Sequence, residues 1–279
     1  LSKKVSGISQ TIPLSIETKK SAKKKRNSNV WLGFILPALL LAVWTAATET
    51  GFIPSYQLPS PRNVIERIVR LVQDGSLWSH VGITFYRVGI GFFIGTVAAV
   101  LLGSIVGFYS KAEKVFDPII QAFKSIPSLA WVPLFILWMG IGEASKISLI
   151  AVGVFFPVYL NIVSGILNVD RKLIEVGKVY GLGHFQLVKR IIFPASLPSF
   201  FTGLRSGLGL GWMFVVAAEL MGASEGLGYL LVIGQNSSSP DIIIASILLF
   251  AIVGKLTDWF VKIIENKVLA WRDTSAIGG

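Results

Sequence analysis

Long uncharged apolar stretches alternate with short charged ones along this chain. Residues 30–47 and 88–108 carry no charge, and 147–169 is uncharged over 23 residues. About 20 residues at about 1.5 Å each cross the hydrocarbon of a bilayer, so each stretch predicts a transmembrane helix. Residues 125–142 are equally uncharged but contain Pro127 and Pro133, which predict a broken or kinked helix. Two weaker candidates follow. Residues 197–221 include Arg205 and Glu219, and 242–264 is clean as far as Gly254 and then carries Lys255, Asp258 and Lys262. The pattern predicts an all-α integral membrane protein with six transmembrane helices.

Between the first two spans, the LPSP stretch at 58–61 reads as a rigid turn. Pro61 suits the first position of a short amphipathic helix over 61–73, with Val64, Ile65, Ile68, Val69 and Val72 on one side. Such a helix lies at a membrane surface. Residues 222–241 mix an apolar patch with a Gly/Ser/Pro turn region, which fits a loop or a re-entrant hairpin.

Composition agrees with this picture. Of the 279 residues, 53% are hydrophobic and 15% are charged, against about 25% charged in soluble domains. An ordinary soluble globule and a disordered chain are both excluded. With no cysteine, and with His80 and His184 as the two histidines, no metal site is predicted.

Charge sets the expected topology. Of the net +11, residues 1–29 supply +7, with eight Lys/Arg against Glu17. The KKKR run at 23–26 precedes an apolar stretch, so it reads as a topology signal rather than a nucleic-acid patch. With that tail inside, the inner segments hold nineteen Lys/Arg and the outer ones five. Both termini are therefore expected in the cytoplasm of a cell that carries this chain as a multi-pass protein of its inner or plasma membrane. The expected organisation is a basic tail (1–29), a transmembrane domain (30–272) and a short C-terminal end (273–279). No small-residue cleavage site follows the first apolar run, so a retained anchor is expected.

The most informative segment is the inner loop at 170–196. It holds two short amphipathic pieces around Gly181-Leu182-Gly183 and leaves through Pro194 and Pro198. A helix–turn–helix in such a loop does nothing for spanning and suits docking on a partner. Glu175, Gly181 six residues on, Ile191 sixteen on and Pro194 nineteen on match the EAA motif of ATP-binding-cassette (ABC) importer permeases. Val176 and Gly177 replace the two alanines, and Phe193 replaces the leucine. The segments 125–147, 193–212 and 216–230 also resemble the permeases for nitrate, sulfonate, taurine and bicarbonate. The resemblance covers about residues 31–272 and leaves out the basic tail.

The resemblance implies a type I importer fold. It implies two permeases, expected as a homodimer, with two ATPase subunits and an extracytoplasmic substrate-binding protein. Glu175, Gly181, Leu182, Gly183, Ile191 and Pro194 would form the ATPase-coupling element. It favours a small oxyanion as solute, with an aliphatic sulfonate or taurine ahead of nitrate or bicarbonate. Thiamine-precursor and riboflavin permeases are similar in sequence and remain an alternative.

The chain has no G-x-x-x-x-G-K-[ST] phosphate cradle, because Val179 and Leu256 follow the two Gly-Lys pairs. ATP and Mg would therefore bind a partner ATPase, and this chain needs no cofactor. The spans hold no paired carboxylates, clustered histidines or Ser–His set, so no catalytic residue is expected and the chain is not read as an enzyme. A self-sufficient secondary transporter would need ion-coupling acids near mid-membrane, and Glu219 is the one candidate outside the last span.

Ionisable groups inside spans are candidates for function. Arg205, Trp212 and Glu219 recur every seven residues and so share one helix face. Fourteen residues rise about 21 Å, so Arg205 and Glu219 cannot pair with each other. The reading is a stripe facing the translocation path; the alternative is that Arg205 snorkels and Glu219 pairs with a neighbouring helix. Trp131, Ser128 and Asn161 are further path candidates, or partners of backbone carbonyls freed near prolines. GLGLG at 207–211 reads as close helix packing, and Glu143–Lys146 and Lys255–Asp258 as salt bridges.

Overall fold

The structure is a computed structural model and describes residues 32–271. The basic tail, the first two residues of the predicted first span, Arg272 and the C-terminal end 273–279 lie outside the described residues. The chain divides into two units, residues 1–43 and 44–279. The helix α1 (Leu32–Glu49) begins in the first and ends in the second. Within its last two turns, the Trp44 indole N–H donates to the Pro59 carbonyl at 3.0 Å, fixing the LPSP turn. Ser60 caps α2 (Pro61–Gln73) by accepting from the Asn63 N–H, and Pro61 stands at its first turn as the sequence predicts.

Four described helices are long and apolar enough to cross a membrane. They are α3 (Ser76–Phe108), α6 (Glu143–Leu167), the run His184–Leu220, and α11 (Pro240–Val268). The run His184–Leu220 consists of α8 (His184–Leu187), a π-helical turn (Val188–Ile192) and α9 (Phe193–Leu220).

Three expectations are revised in detail. The second span starts at Ser76, twelve residues before the uncharged window, and carries Arg87 inside it. The expected 125–142 span is interrupted. An amphipathic α4 (Ser110–Ser125) fills what reads as an inner loop, and a single 3-10 turn (Ser128–Ala130) leads to a nine-residue α5 (Trp131–Met139). Pro127 is the cause. It has no N–H to continue the ladder, and the Ile126 N–H bonds back to the Phe123 carbonyl at 3.1 Å instead. The 222–241 region, expected as a loop or hairpin, contains a further helix, α10 (Leu227–Asn236), with Leu227 and Leu230 buried.

The helix α6 is the centre of the second unit. Glycines let its neighbours approach almost to backbone contact. On α3, a Cβ at Gly91 would meet Ile150 at 2.6 Å, one at Gly95 would strike the Ala151 carbonyl, and one at Gly107 would meet Ile166 at 2.8 Å. Both numbers rise together, so α3 and α6 run parallel. On the other side, Gly203 meets Asn161 and Val158, Gly207 meets Val158, and Gly211 meets Val154. Here the order is reversed, so α9 runs antiparallel to α6. The GLGLG segment thus packs helices through Gly207 and Gly211, while a Cβ at Gly209 would find open space. Val154, Val158, Tyr159, Phe214 and Val215 fill the core between them.

Candidate functional site: a docking knob and two ionic clusters

The turn after α6 is built by local rules. Asp170 caps α7 (Arg171–Val179) by accepting from the Lys172 N–H at 2.9 Å. Gly181 closes the helix in the left-handed region, with φ +73°, where a Cβ is strained. The Gly181 N–H bonds the Lys178 carbonyl at 2.9 Å and the Leu182 N–H bonds the Gly177 carbonyl at 3.0 Å. These paired bonds are a Schellman closure, which ends the helix sharply and satisfies its last carbonyls. Gly183 then caps α8, accepting from the Leu187 N–H at 2.9 Å.

The two arms clasp through Gly177. A Cβ there would meet Ile191 at 2.5 Å and Leu187 at 2.6 Å, so Ile191 holds the returning arm against α7. The π turn carries the chain into Pro194, with the Phe193 N–H reaching five residues back to the Val188 carbonyl. The knob's outer surface is unusual for a packed domain. Val179, Tyr180 and Phe185 are 86%, 81% and 77% exposed, and Glu175 is exposed with no ion pair among the described residues. Arg171, Lys172, Lys178, Lys189 and Arg190, on the same two arms, are exposed as well. All six coupling residues expected from the sequence fall on this knob or on its exit.

The structure distributes the other candidates over different contacts. Arg205 donates to both carboxylate oxygens of Asp258 on α11 (2.9 and 3.2 Å), with a longer ion contact to Glu265 at 3.5 Å. The Trp212 indole N–H donates to the Thr257 hydroxyl at 2.9 Å. Both therefore turn toward α11. Glu219 turns instead toward α3 and α10. All three are thus engaged by partners from the same chain. Asn161 donates to the Pro157 carbonyl at 2.8 Å and lies against Gly203 of α9. Ser128 opens the 3-10 turn beside α5. Trp131 lies between Phe123 and Phe135, with ring centroids 5.8 and 6.4 Å away, and its indole N–H is buried without a partner among the described residues.

The cluster around Glu219 was only partly legible. Glu219 is fully buried. Its Oε1 accepts from Arg87 Nη1 at 2.7 Å and from the Thr84 hydroxyl at 2.8 Å, and its Oε2 accepts from the Gly228 N–H at 2.7 Å. Arg87, 2% exposed, grips both oxygens of Glu143 at 2.7 Å and donates also to the Glu225 carbonyl. Lys146 adds a bond to Glu143 at 3.1 Å, as the three-residue spacing predicts. The segment between α9 and α10 is pinned by these groups. Thr84 accepts from the Leu227 N–H, and His80 Nδ1 from the Gly226 N–H at 3.1 Å. Gly226, with φ +124°, sits so close that a Cβ would enter the Glu219 carboxylate. Sequence reading missed Arg87, Thr84 and His80 because they precede the uncharged window. The run of buried positions Leu77, Thr84, Val88, Gly91 and Gly95, three, four or seven apart, was the available signal.

Helices long and apolar enough to cross a membrane, with an exposed knob between two of them, are the geometry on which the comparisons bear. Residues 91–270 match the family described as binding-protein-dependent transport system inner membrane component, and the chain belongs to that family. It is a transport permease, the membrane subunit of an ABC transporter, and not an enzyme.

Two relatives and one solved structure define its neighbourhood. The putative aliphatic sulfonates transport permease protein SsuC of Bacillus subtilis (strain 168) is 40% identical over 253 residues, covering 90% of this chain and 92% of the relative. The taurine transport system permease protein TauC of Escherichia coli (strain K12) is 31% identical, covering 84% and 87%. A chain of the MetNI methionine ABC transporter in inward-facing conformations superposes with TM-score 0.59 at 19% identity, covering 68% of this chain and 94% of that one. That last likeness is one of fold.

Proposed function

We propose that this chain is the permease of an importer for a small oxyanion, an aliphatic sulfonate or taurine ahead of nitrate or bicarbonate, delivered by an external binding protein. The sulfonate and taurine permeases among its relatives support this solute class. The chain crosses the membrane six times, with α4 and α5 together making the third crossing. Both termini and the knob lie on the cytoplasmic side, where most Lys/Arg fall. Two copies form the permease pair.

The carrying observation is the knob. It is a tightly closed turn with an apolar, unpartnered tip and a free carboxylate at Glu175. It fits a groove on a separate ATPase, which binds ATP and Mg and performs the hydrolysis. Gly181, Leu182 and Gly183 form the inserted bend, while Ile191 and Pro194 stiffen its return. Arg205, Trp212 and Glu219 act as braces between helices that frame the path. Trp131 and Ser128 border the path itself, and Asn161 steadies α6 against α9.

The test is reconstitution with the cognate ATPase and binding protein. ATP-dependent sulfonate uptake is expected, competed by taurine more than by nitrate. A thiol placed at Gly183 that is labelled from outside intact cells would overturn the topology and the docking role together.

A further inference from the structure

Helix α10 begins without a cap of its own. Its N-cap is Gly226, which has no side chain to accept from the first turn, and φ +124° places it where other residues are strained. The N–H groups that a helix leaves unmade at its start are met here from outside. The Gly226 N–H donates to His80 Nδ1 at 3.1 Å, the Leu227 N–H to the Thr84 hydroxyl at 2.9 Å, and the Gly228 N–H to Glu219 Oε2 at 2.7 Å. Toward α9, the segment 221–226 rests on the α5–α6 turn, where a Cβ at Gly222 would meet Ile141 at 2.8 Å. Neighbouring elements, rather than its own backbone preferences, hold this segment in place.

The three acceptors respond differently to protons. A threonine hydroxyl does not titrate, and Glu219 is held as the anion by its ion pair with Arg87 at 2.7 Å. His80 is half-buried, and a histidine exchanges its proton at an ordinary pKa of about 6.5. A neutral imidazole accepts at one ring nitrogen, whereas the cation donates from both and accepts at neither. Protonation of His80 thus sets two donors against each other at Gly226. The charged groups facing the ring are acids. Asp74, just before α3, and Glu225, in the segment itself, lie within electrostatic range, and the Tyr229 ring of α10 stands 6.1 Å away. Asp74 is engaged with the Ser76 N–H and hydroxyl, while Glu225 is exposed and its carboxylate has no ion pair among the described residues. Further along α3, Arg87 occupies both Glu219 of α9 and Glu143 of α6. We infer that His80 is a proton-sensitive latch on the segment 221–226. Neutral, it holds the Gly226 N–H and keeps the segment seated against the α5–α6 turn. Protonated, it gives up that N–H and pairs with the Glu225 carboxylate, which frees the segment between Gly222 and Gly226.

Hydrogen exchange of the assembled transporter in nanodiscs reads the latch directly. Corrected for intrinsic chemistry, protection of residues 222–227 should fall at least about tenfold between about pH 7.5 and about pH 5.5, while α6 stays protected. His80→Gln keeps an acceptor that does not titrate and should hold protection at both pH values, whereas His80→Phe has no acceptor and should lack it at both. Glu225→Gln should move the transition to lower pH, because the cation loses its partner. Equal protection of the wild type at the two pH values, an acid-induced loss in His80→Gln as large as in the wild type, or an unshifted transition in Glu225→Gln overturns the latch. Should His80→Phe fail to fold, the wild-type and Glu225→Gln titrations decide alone. The effect on transport rests on the permease reading above: wild-type uptake should depend on external pH over the same range and His80→Gln uptake should not. Wild-type uptake that ignores pH overturns the role of the latch in transport. Exchange is measured without solute, so failure of the importer reading shows separately, as uptake that needs no ATP.

Discussion

The two ends of this protomer treat charge in opposite ways. At the end holding Ser76, Glu143 and Leu220, the ionisable side chains are folded into one another. Arg87 and Glu219 are sealed from solvent and use nearly all their hydrogen-bonding capacity on Glu143, Thr84 and the backbone of residues 225–228. At the knob end, Glu175, five lysines and arginines, Tyr180 and Phe185 are all exposed, and none of the charged ones has an ion pair among the described residues. A buried charge must be neutralised within the chain, because removal from water is expensive. A charge left exposed beside a large apolar tip is available to another polypeptide. Identical residue types thus serve cohesion at one end and, under the docking role proposed above, recognition at the other, and burial separates the two better than residue identity.

Substitutions can break that contrast, beginning with the largest effect. Arg87→Ala strands Glu219 without its cation and should cost about 3–5 kcal/mol, seen as a large fall in the detergent unfolding midpoint and in folded yield. Replacing both with leucine should recover part of that loss. A single variant as stable as wild type would show that the cluster does not hold that end together. Gly181→Val forces a β-branched residue into the left-handed region, at about 1–2 kcal/mol, confined to the knob. Membrane insertion should survive while co-purification of the ATPase falls at least tenfold.

Arg205→Ala removes a half-exposed brace between α9 and α11 and should cost about 1 kcal/mol. An unchanged KM for solute would support bracing, and a raised KM would return Arg205 to the path. Glu175→Ala should shift stability by less than about 0.5 kcal/mol, yet weaken ATPase association or uncouple hydrolysis from uptake. Lys255→Ala, whose contact to Asp258 is 3.7 Å long and whose side chain is 80% exposed, should change neither stability nor transport measurably.

How much was legible follows from the range of each interaction. The helix 61–73 and the Gly181 turn were readable because capping and left-handed closure depend on neighbours within a few residues. The knob's spacing was readable for the same reason. The Arg87–Glu219 pair spans 132 residues, and nothing in either local window names the other. A hydropathy window also penalises the arginine that the fold buries, so it set the start of α3 too late. For the Arg205–Trp212–Glu219 stripe, periodicity places the three on one side of α9 but does not say what each side chain meets. In this protomer, α11 stands opposite the first two and α3 opposite the third. The glycines at 177, 207 and 211 were visible as letters, but their reason, the close approach of Ile191, Val158 and Val154, belongs to tertiary structure.

The run His184–Leu220 starts at the knob and carries Glu219 next to its last residue, 37 residues and about 55 Å of helix. A displacement imposed on its foot is delivered to its head along one helical run, with the widened π turn at Val188–Ile192 and Pro198 as the joints to be crossed, both nearer the foot than the head. Because both lie in the half nearer the foot, the compliance is concentrated toward the end where the push arrives. The far end receives a tilt rather than a compression, as a lever does when its soft bearing is beside the hand.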